Sequence, residues 1–170
     1  MTDIKSLSDI TDNGLCIGCG LCQSIAGKEN ISITMTEKGR LEPKANKPLK
    51  EENFNNIKKV CPGVIVEGLH EEEVNQNSKH DLIWGNYQSL FYAWSTDEKI
   101  RFQSSTGGLL NGLSLYLLET KIIDFIIHTA GDPNHPMKSV AKFSFNKEDL
   151  LNCESRSRYG PASPLIKFNE

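Results

Sequence analysis

The chain has 170 residues, 19 of them basic and 22 acidic, for a formal net charge of -3, and 38% of its residues are hydrophobic. Such a chain fits one domain, or one domain plus a small appendage, and is too apolar for disorder. Split at Asp81, it carries 10 basic against 12 acidic residues before and 9 against 10 after, so neither half has the basic excess that a nucleic acid or an anionic membrane would attract.

The N-terminus, MTDIKSLSDI, lacks the basic start and apolar run of a signal peptide. After the cysteine-rich stretch CIGCGLC, Ile31–Met35 alternates apolar and polar residues as a half-buried strand should. Glu37-Lys38-Gly39 supplies a turn, and Arg40–Pro43 is expected to return as the second strand of a hairpin. Asn53–Val60 reads as a short helix that delivers Cys61 and stops at Pro62-Gly63. Residues 1–68 are therefore expected to form one unit. The polar, aperiodic stretch at 69–80 reads as a linker or solvated loop.

A second unit, 81–170, is expected to begin with an aromatic-rich strand, Ser89–Trp94 (SLFYAW). Leucines at 109, 110, 113, 117 and 118 have helical spacing, and Gly107-Gly108 open that helix with Ser105 or Thr106 as its cap. This apolar run, Leu109–Leu118, is about half of the roughly 20 residues that span a bilayer. Ile122–Thr129 and Val140–Phe145 read as strands, and Asn146 as the cap of a short helix with Glu148 and Asp149 in its first turn. Strand, helix and strand in that order predict a βαβ-type unit. The fold class expected is α+β: a small ferredoxin-like iron–sulfur unit followed by an α/β layer. The localisation expected is cytoplasmic, with no nucleic-acid or membrane partner.

The five cysteines carry the chemistry. Cys16, Cys19 and Cys22 lie at two-residue spacings, Cys61 follows 39 residues later before Pro62, and Cys153 stands alone. An odd, clustered set is a poor disulfide framework. Three thiolates from one loop plus a remote Cys-Pro suit a 4Fe–4S cubane, which takes four thiolates. Gly18 and Gly20 let backbone N–H groups approach its sulfurs. Zinc is the alternative, although its ligands usually come as two close pairs, and a site that binds neither remains a third reading. Cys153, in the run Leu150-Leu151-Asn152-Cys153, reads as a small core residue. His70, His80, His128 and His135 form no ligand spacing.

Arg101-Phe-Gln-Ser-Ser-Thr-Gly-Gly108 forms a second candidate site. Small residues at a helix start leave N–H groups open for a phosphate, while a plain helix cap explains the segment equally well. Only four arginines stand against fifteen lysines, and Arg101, Arg156 and Arg158 flank Gly-containing turns. That placement suits a dinucleotide, because the planar guanidinium binds phosphate with two hydrogen bonds at once.

Together, CIGCGLC, the later VCPG, RFQSSTGG before a leucine-rich helix, and SRYGPASPL resemble the beta subunit of coenzyme F-420 hydrogenases and dehydrogenases. The likeness leans toward the branch with 7-hydroxymethyl chlorophyll a reductase. The resemblance implies an iron–sulfur flavoprotein oxidoreductase component that passes electrons between a ferredoxin-like donor or acceptor, a 4Fe–4S cluster and FAD, and on to a small-molecule substrate. It implies Cys16, Cys19, Cys22 and Cys61 as cluster ligands. For the flavin site it implies Ser105, Thr106, Gly107 and Gly108, with Arg101, Arg158 and Tyr159 nearby. Ser104 and Arg156 stand where the family commonly has Gly. No acid or base stands out as a catalytic residue. Members of the family continue into a further C-terminal domain, so the chain is expected to be an N-terminal portion or a truncated homologue. The alternative is a stand-alone ferredoxin-like electron-transfer module without catalysis of its own. A zinc-stabilised interaction domain is a third reading.

Overall fold

A computed structural model describes residues 4–68, 73–152 and 160–169. The first element, α1 (Leu7–Asp12), opens with a reciprocal cap: the Asp9 N–H donates to Ser6 Oγ at 3.2 Å, and the Ser6 N–H donates to the Asp9 carboxylate at 2.8 Å. Helix α2 (Leu21–Ala26) runs between two positive-φ glycines, Gly20 and Gly27. The expected hairpin forms as β1 (Ile31–Met35) and β2 (Leu41–Ala45), antiparallel, with Ile31 opposite Ala45 and Met35 opposite Leu41.

Helix α3 (Glu51–Val60) has Glu51 and Glu52 in its first turn and Lys58 and Lys59 in its last, charges that suit its dipole. It ends at Cys61, as expected. Ile4, Leu7, Ile10, Ala26, Ile31 and Ile57 form the core of this part, and Cys16, Cys22 and Cys61 pack on its margin. The cysteines thus stand on the larger of the two cores among the described residues.

A short antiparallel hairpin follows, β3 (Lys79–Asp81) and β4 (Gly85–Tyr87). One Asp81 carboxylate oxygen accepts the N–H groups of Ile83 and Trp84 and fixes the turn. Lys79 and His80, in the stretch read as linker, are its first residues. Helix α4 (Glu98–Gln103) starts at Asp97, whose carboxylate accepts from Lys99 and Ile100 N–H. A 3-10 turn, Thr106–Gly108, leads into α5 (Leu109–Glu119). Strands β5 (Ile126–Gly131) and β6 (Ser139–Ser144) pair antiparallel, and α6 (Lys147–Asn152) follows. Asn146 caps α6 as expected, its side-chain oxygen accepting the Asp149 N–H at 2.9 Å. Ile100, Leu115 and Leu150 form a small second core against Ile126 and Leu151.

Several expectations change here. SLFYAW joins no sheet, and Leu90, Phe91 and Tyr92 are 85%, 85% and 99% exposed. Its composition favours a pleated, half-buried surface, but no described strand lies beside it. The βαβ-type unit is likewise absent among the described residues, where every sheet is two-stranded and antiparallel. That unit needed SLFYAW as the strand before the leucine-rich helix, and with that segment unpaired the strand after the helix, β5, pairs antiparallel with β6 instead. Strand β5 begins at Ile126, and Ile122 is exposed. The α+β class itself stands. No helix among the described residues is long and apolar enough to cross a membrane.

Candidate metal centre and glycine turn

The CIGCGLC loop is shaped by left-handed residues, Gly14, Gly18 and Gly20, with φ of 69°, 73° and 84°. A Cβ on Gly18 would lie 2.7 Å from the Leu41 carbonyl oxygen, so the loop is pressed against β2. The Gly18 N–H donates to Cys16 Sγ at 3.4 Å, the backbone-to-sulfur contact for which a glycine is useful. Cys22 sits in the first turn of α2. Cys61 ends α3, its N–H donating to the Ile57 carbonyl at 2.9 Å.

All four cysteines are free, half-buried and on the walls of one cavity of about 30 Å³, together with Ile33, Ile57 and Pro62. Burial raises the Cys16 thiol above its ordinary range. Burial also pushes Cys22 up to about 12, with a further push from Cys19, Cys16 and Cys61. Holding thiolates in this apolar space requires a compensating positive charge, which a bound metal supplies. The donor set therefore fits a soft, sulfur-loving metal centre. The four share one cavity without closing round a point: among the described residues, no group of three or more His, Cys, Asp or Glu side chains is gathered to hold one metal ion. Cys153 lies outside the described residues.

The described histidines have local partners, as expected of structural residues. His128 Nε2 meets Ser144 Oγ at 2.8 Å, His80 Nδ1 meets Asn86 Oδ1 at 2.9 Å, and His135 Nδ1 meets Asp132 at 3.2 Å. His70 lies outside the described residues.

Residues 163–169, whose first three close the SRYGPASPL stretch, lie against the cysteine loop. Ser163 Oγ donates to the Gly18 carbonyl at 2.7 Å, and the Leu165 N–H donates to the Cys19 carbonyl at 2.9 Å. Asn169 donates twice to Ser24, from its backbone N–H to Oγ and from its side-chain amide to the carbonyl. A sequence separation of 145 residues leaves no local pattern to betray these contacts.

The second candidate site has an unusual backbone. Thr106, Gly107 and Gly108 are left-handed in succession, with φ of 53°, 65° and 71°. A β-branched residue there is a strained outlier. Ser105 and Thr106 are exposed, and neither caps α5; its N-cap is Gly108, without a side-chain hydrogen bond. The expectation of a hydroxyl cap is thereby corrected: the left-handed turn carries both hydroxyls past the helix start. Ser104 Oγ instead accepts from the Asn111 amide at 2.7 Å.

Both glycines face neighbours. A Cβ on Gly107 would stand 3.0 Å from Trp94 Cβ, and one on Gly108 would stand 2.9 Å from the Ile100 carbonyl oxygen. Close packing and positive φ are together enough to require glycine at both positions.

What the turn offers a ligand is an uncapped helix start with two exposed hydroxyls beside it, donors that fit a phosphate group. Next to it an open groove of about 460 Å³ is lined by Trp94, Ile100, Leu109, Leu113 and Tyr116. Arg101 lies on α4, 3.9 Å from Glu98, and faces a different groove with Lys99 and Phe102. Arg158 and Tyr159 lie outside the described residues.

Comparison with curated protein sequences yields no match. Residues 90–169 match the family model described as coenzyme F420 hydrogenase/dehydrogenase, beta subunit N-term. The matched segment contains the glycine turn, the groove and the residues that touch the cysteine loop, while the cysteine loop itself precedes it. Hydrogenases and dehydrogenases are oxidoreductases. Over residues 90–169, the chain is thus similar to the coenzyme F420 hydrogenase/dehydrogenase beta subunit N-terminal family.

Proposed function

We propose that the chain is an iron–sulfur flavoprotein component of an oxidoreductase, carrying electrons between a ferredoxin-like protein, a 4Fe–4S cluster and FAD, toward a small-molecule substrate. The observation that carries this reading is the convergence of Cys16, Cys19, Cys22 and Cys61 on one cavity from two distant parts of the chain. A 4Fe–4S cluster, when bound, accepts and returns single electrons. The chain's own part is to supply the four thiols, to shield them among Ile33, Ile57 and Pro62, and to present the Gly18 N–H to sulfur. A single tetrahedral zinc would draw four sulfurs to about 3.8 Å of one another, from a Zn–S length of about 2.3 Å. A cubane spreads its ligands more widely and suits a three-plus-one cysteine set, whereas zinc ligands usually come as two close pairs.

The Ser105–Gly108 turn and the Trp94–Tyr116 groove support FAD less directly. The exposed hydroxyls and the uncapped start of α5 would hold a phosphate, and Trp94, Leu113 and Tyr116 of the groove would take a ring face. Arg158 and Tyr159 are kept in this reading on the family resemblance. Because packing explains both glycines, the reading as an electron-transfer module without its own flavin stands as the alternative.

The test is anaerobic purification followed by reconstitution with iron, sulfide and FAD. The expected result is a brown protein with iron and acid-labile sulfide in near-equal amounts, most of it lost in Cys19→Ala. Stoichiometric zinc without labile sulfide would overturn the cluster. A chain that retains the cluster but no flavin would favour the alternative.

A further inference from the structure

Ser163, Leu165 and Asn169 grip the cysteine loop on both sides of Cys19 and on the helix that carries Cys22. The grip is close. A Cβ on Gly20 would stand 2.9 Å from Ser163 Cβ and 3.1 Å from Ile166 Cβ, so Gly20 is required there by its φ and by the approach of this segment. The segment is itself folded into turns, with Ile166 N–H donating to the Ser163 carbonyl and Phe168 N–H to the Leu165 carbonyl, each at 3.2 Å.

The two bonded carbonyls matter for the sulfur side. A peptide unit is planar and trans, so its C=O and N–H point in opposite directions. Tying the Gly18 and Cys19 carbonyls to Ser163 and Leu165 therefore turns the N–H groups of Cys19 and Gly20 away from that segment.

We infer that residues 163–169 are a positioning strap for the metal centre. They hold the two carbonyls outward and so keep the Cys19 and Gly20 N–H groups free to donate to the sulfurs of a bound cluster. The inference rests on the iron–sulfur reading. Ser163 and Leu165 bond the loop's backbone carbonyls and act through the loop. Cluster potentials depend on hydrogen bonds to sulfur, which favour the more negative, reduced state. Loosening the strap therefore lowers the potential and speeds loss of the cluster. The family-matched segment thus reaches its partner unit at the residues on which the centre depends.

The test uses the full chain with Ser163→Ala, Asn169→Ala and both together, reconstituted anaerobically. Iron and sulfide content, the rate of iron release to a ferrous chelator, the midpoint potential and far-UV circular dichroism are measured. Losing one hydrogen bond should leave the fold and initial loading unchanged, speed iron release about fivefold and shift the potential to more negative values. A loaded double variant with wild-type release rate and potential would overturn the strap and leave the cluster standing. Wild-type chain that takes up no iron and sulfide would overturn the iron–sulfur reading, and the strap's role with it.

Discussion

Gly108 and Gly112 lie one helical turn apart and should answer the same substitution with opposite signs. In Gly108→Ala the new Cβ must accept a φ of 71° and sit 2.9 Å from the Ile100 carbonyl oxygen and 3.0 Å from an Ile100 methyl. The left-handed backbone costs about 1–2 kcal/mol for a residue with a Cβ, and crowding against Ile100 costs about as much again. Together they predict a loss of about 2–4 kcal/mol. Gly112 lies inside α5 with ordinary helical φ, and its nearest neighbour would be Ser95 Oγ at 3.3 Å. Alanine gains about 0.5–1 kcal/mol over glycine in a helix interior, and relief of that contact takes back a few tenths. The two variants should therefore differ by roughly 3 kcal/mol. Urea unfolding of the cofactor-free chain, followed by circular dichroism, reads this difference directly. Equal midpoints for the two variants would refute the packing account of Gly108. Flavin loss in Gly108→Ala with stability unchanged would show that the glycine serves a ligand.

Ile57 is 1% exposed, and its carbonyl holds the Cys61 N–H, so Ile57→Ala should cost about 3–4 kcal/mol and reduce iron uptake together; denaturant titration and iron assay check it. Thr106→Gly relieves the φ of 53° and should stabilise the chain by about 0.5–1 kcal/mol, while weakening any phosphate binding at the turn; a thermal shift with and without FAD checks both. Burial, with help from Lys142, lowers the pKa of His128 below 6.5. The unfolded chain then binds a proton that the folded one resists, so this residue's contribution is present above pH 6.5 and is lost as pH falls through the lowered folded value. His128→Gln should flatten the stability–pH curve in that window, measured by urea titration at a series of pH values.

Local signals were legible wherever chemistry and contacts were close in sequence. The β1–β2 hairpin, the helix before Cys61 and the Asn146 cap follow from alternation, a Pro stop and a capping residue, and each forms. The four-cysteine set was legible as a set because two-residue spacings and a Cys-Pro are chemically distinctive. SLFYAW misled because composition reports what surface a segment could cover, not whether a partner strand arrives. The Gly107-Gly108 pair carried a second meaning that the sequence hid. Glycines at a helix start look like room for a ligand, and only coordinates reveal Trp94 and Ile100 in that room. Ser163 and Leu165 close the SRYGPASPL stretch, but nothing in that stretch points to the cysteine loop, since a serine hydroxyl and an asparagine amide are commonplace until folding sets them against Gly18 and Ser24.

The strap also sets an order of events in time. Cys61, the last of the four pocket cysteines, precedes Ser163 by 102 residues. A ribosome adding about 5–20 residues per second needs roughly 5–20 s to cover that distance. During this interval the cysteine loop, its two helices and its hairpin are already synthesised, while the face against Gly18, Cys19 and Gly20 still lacks its cover. A cluster inserted in that interval would meet a loop whose Gly18 and Cys19 carbonyls are still untied, and the arriving strap would then fix the loop around it.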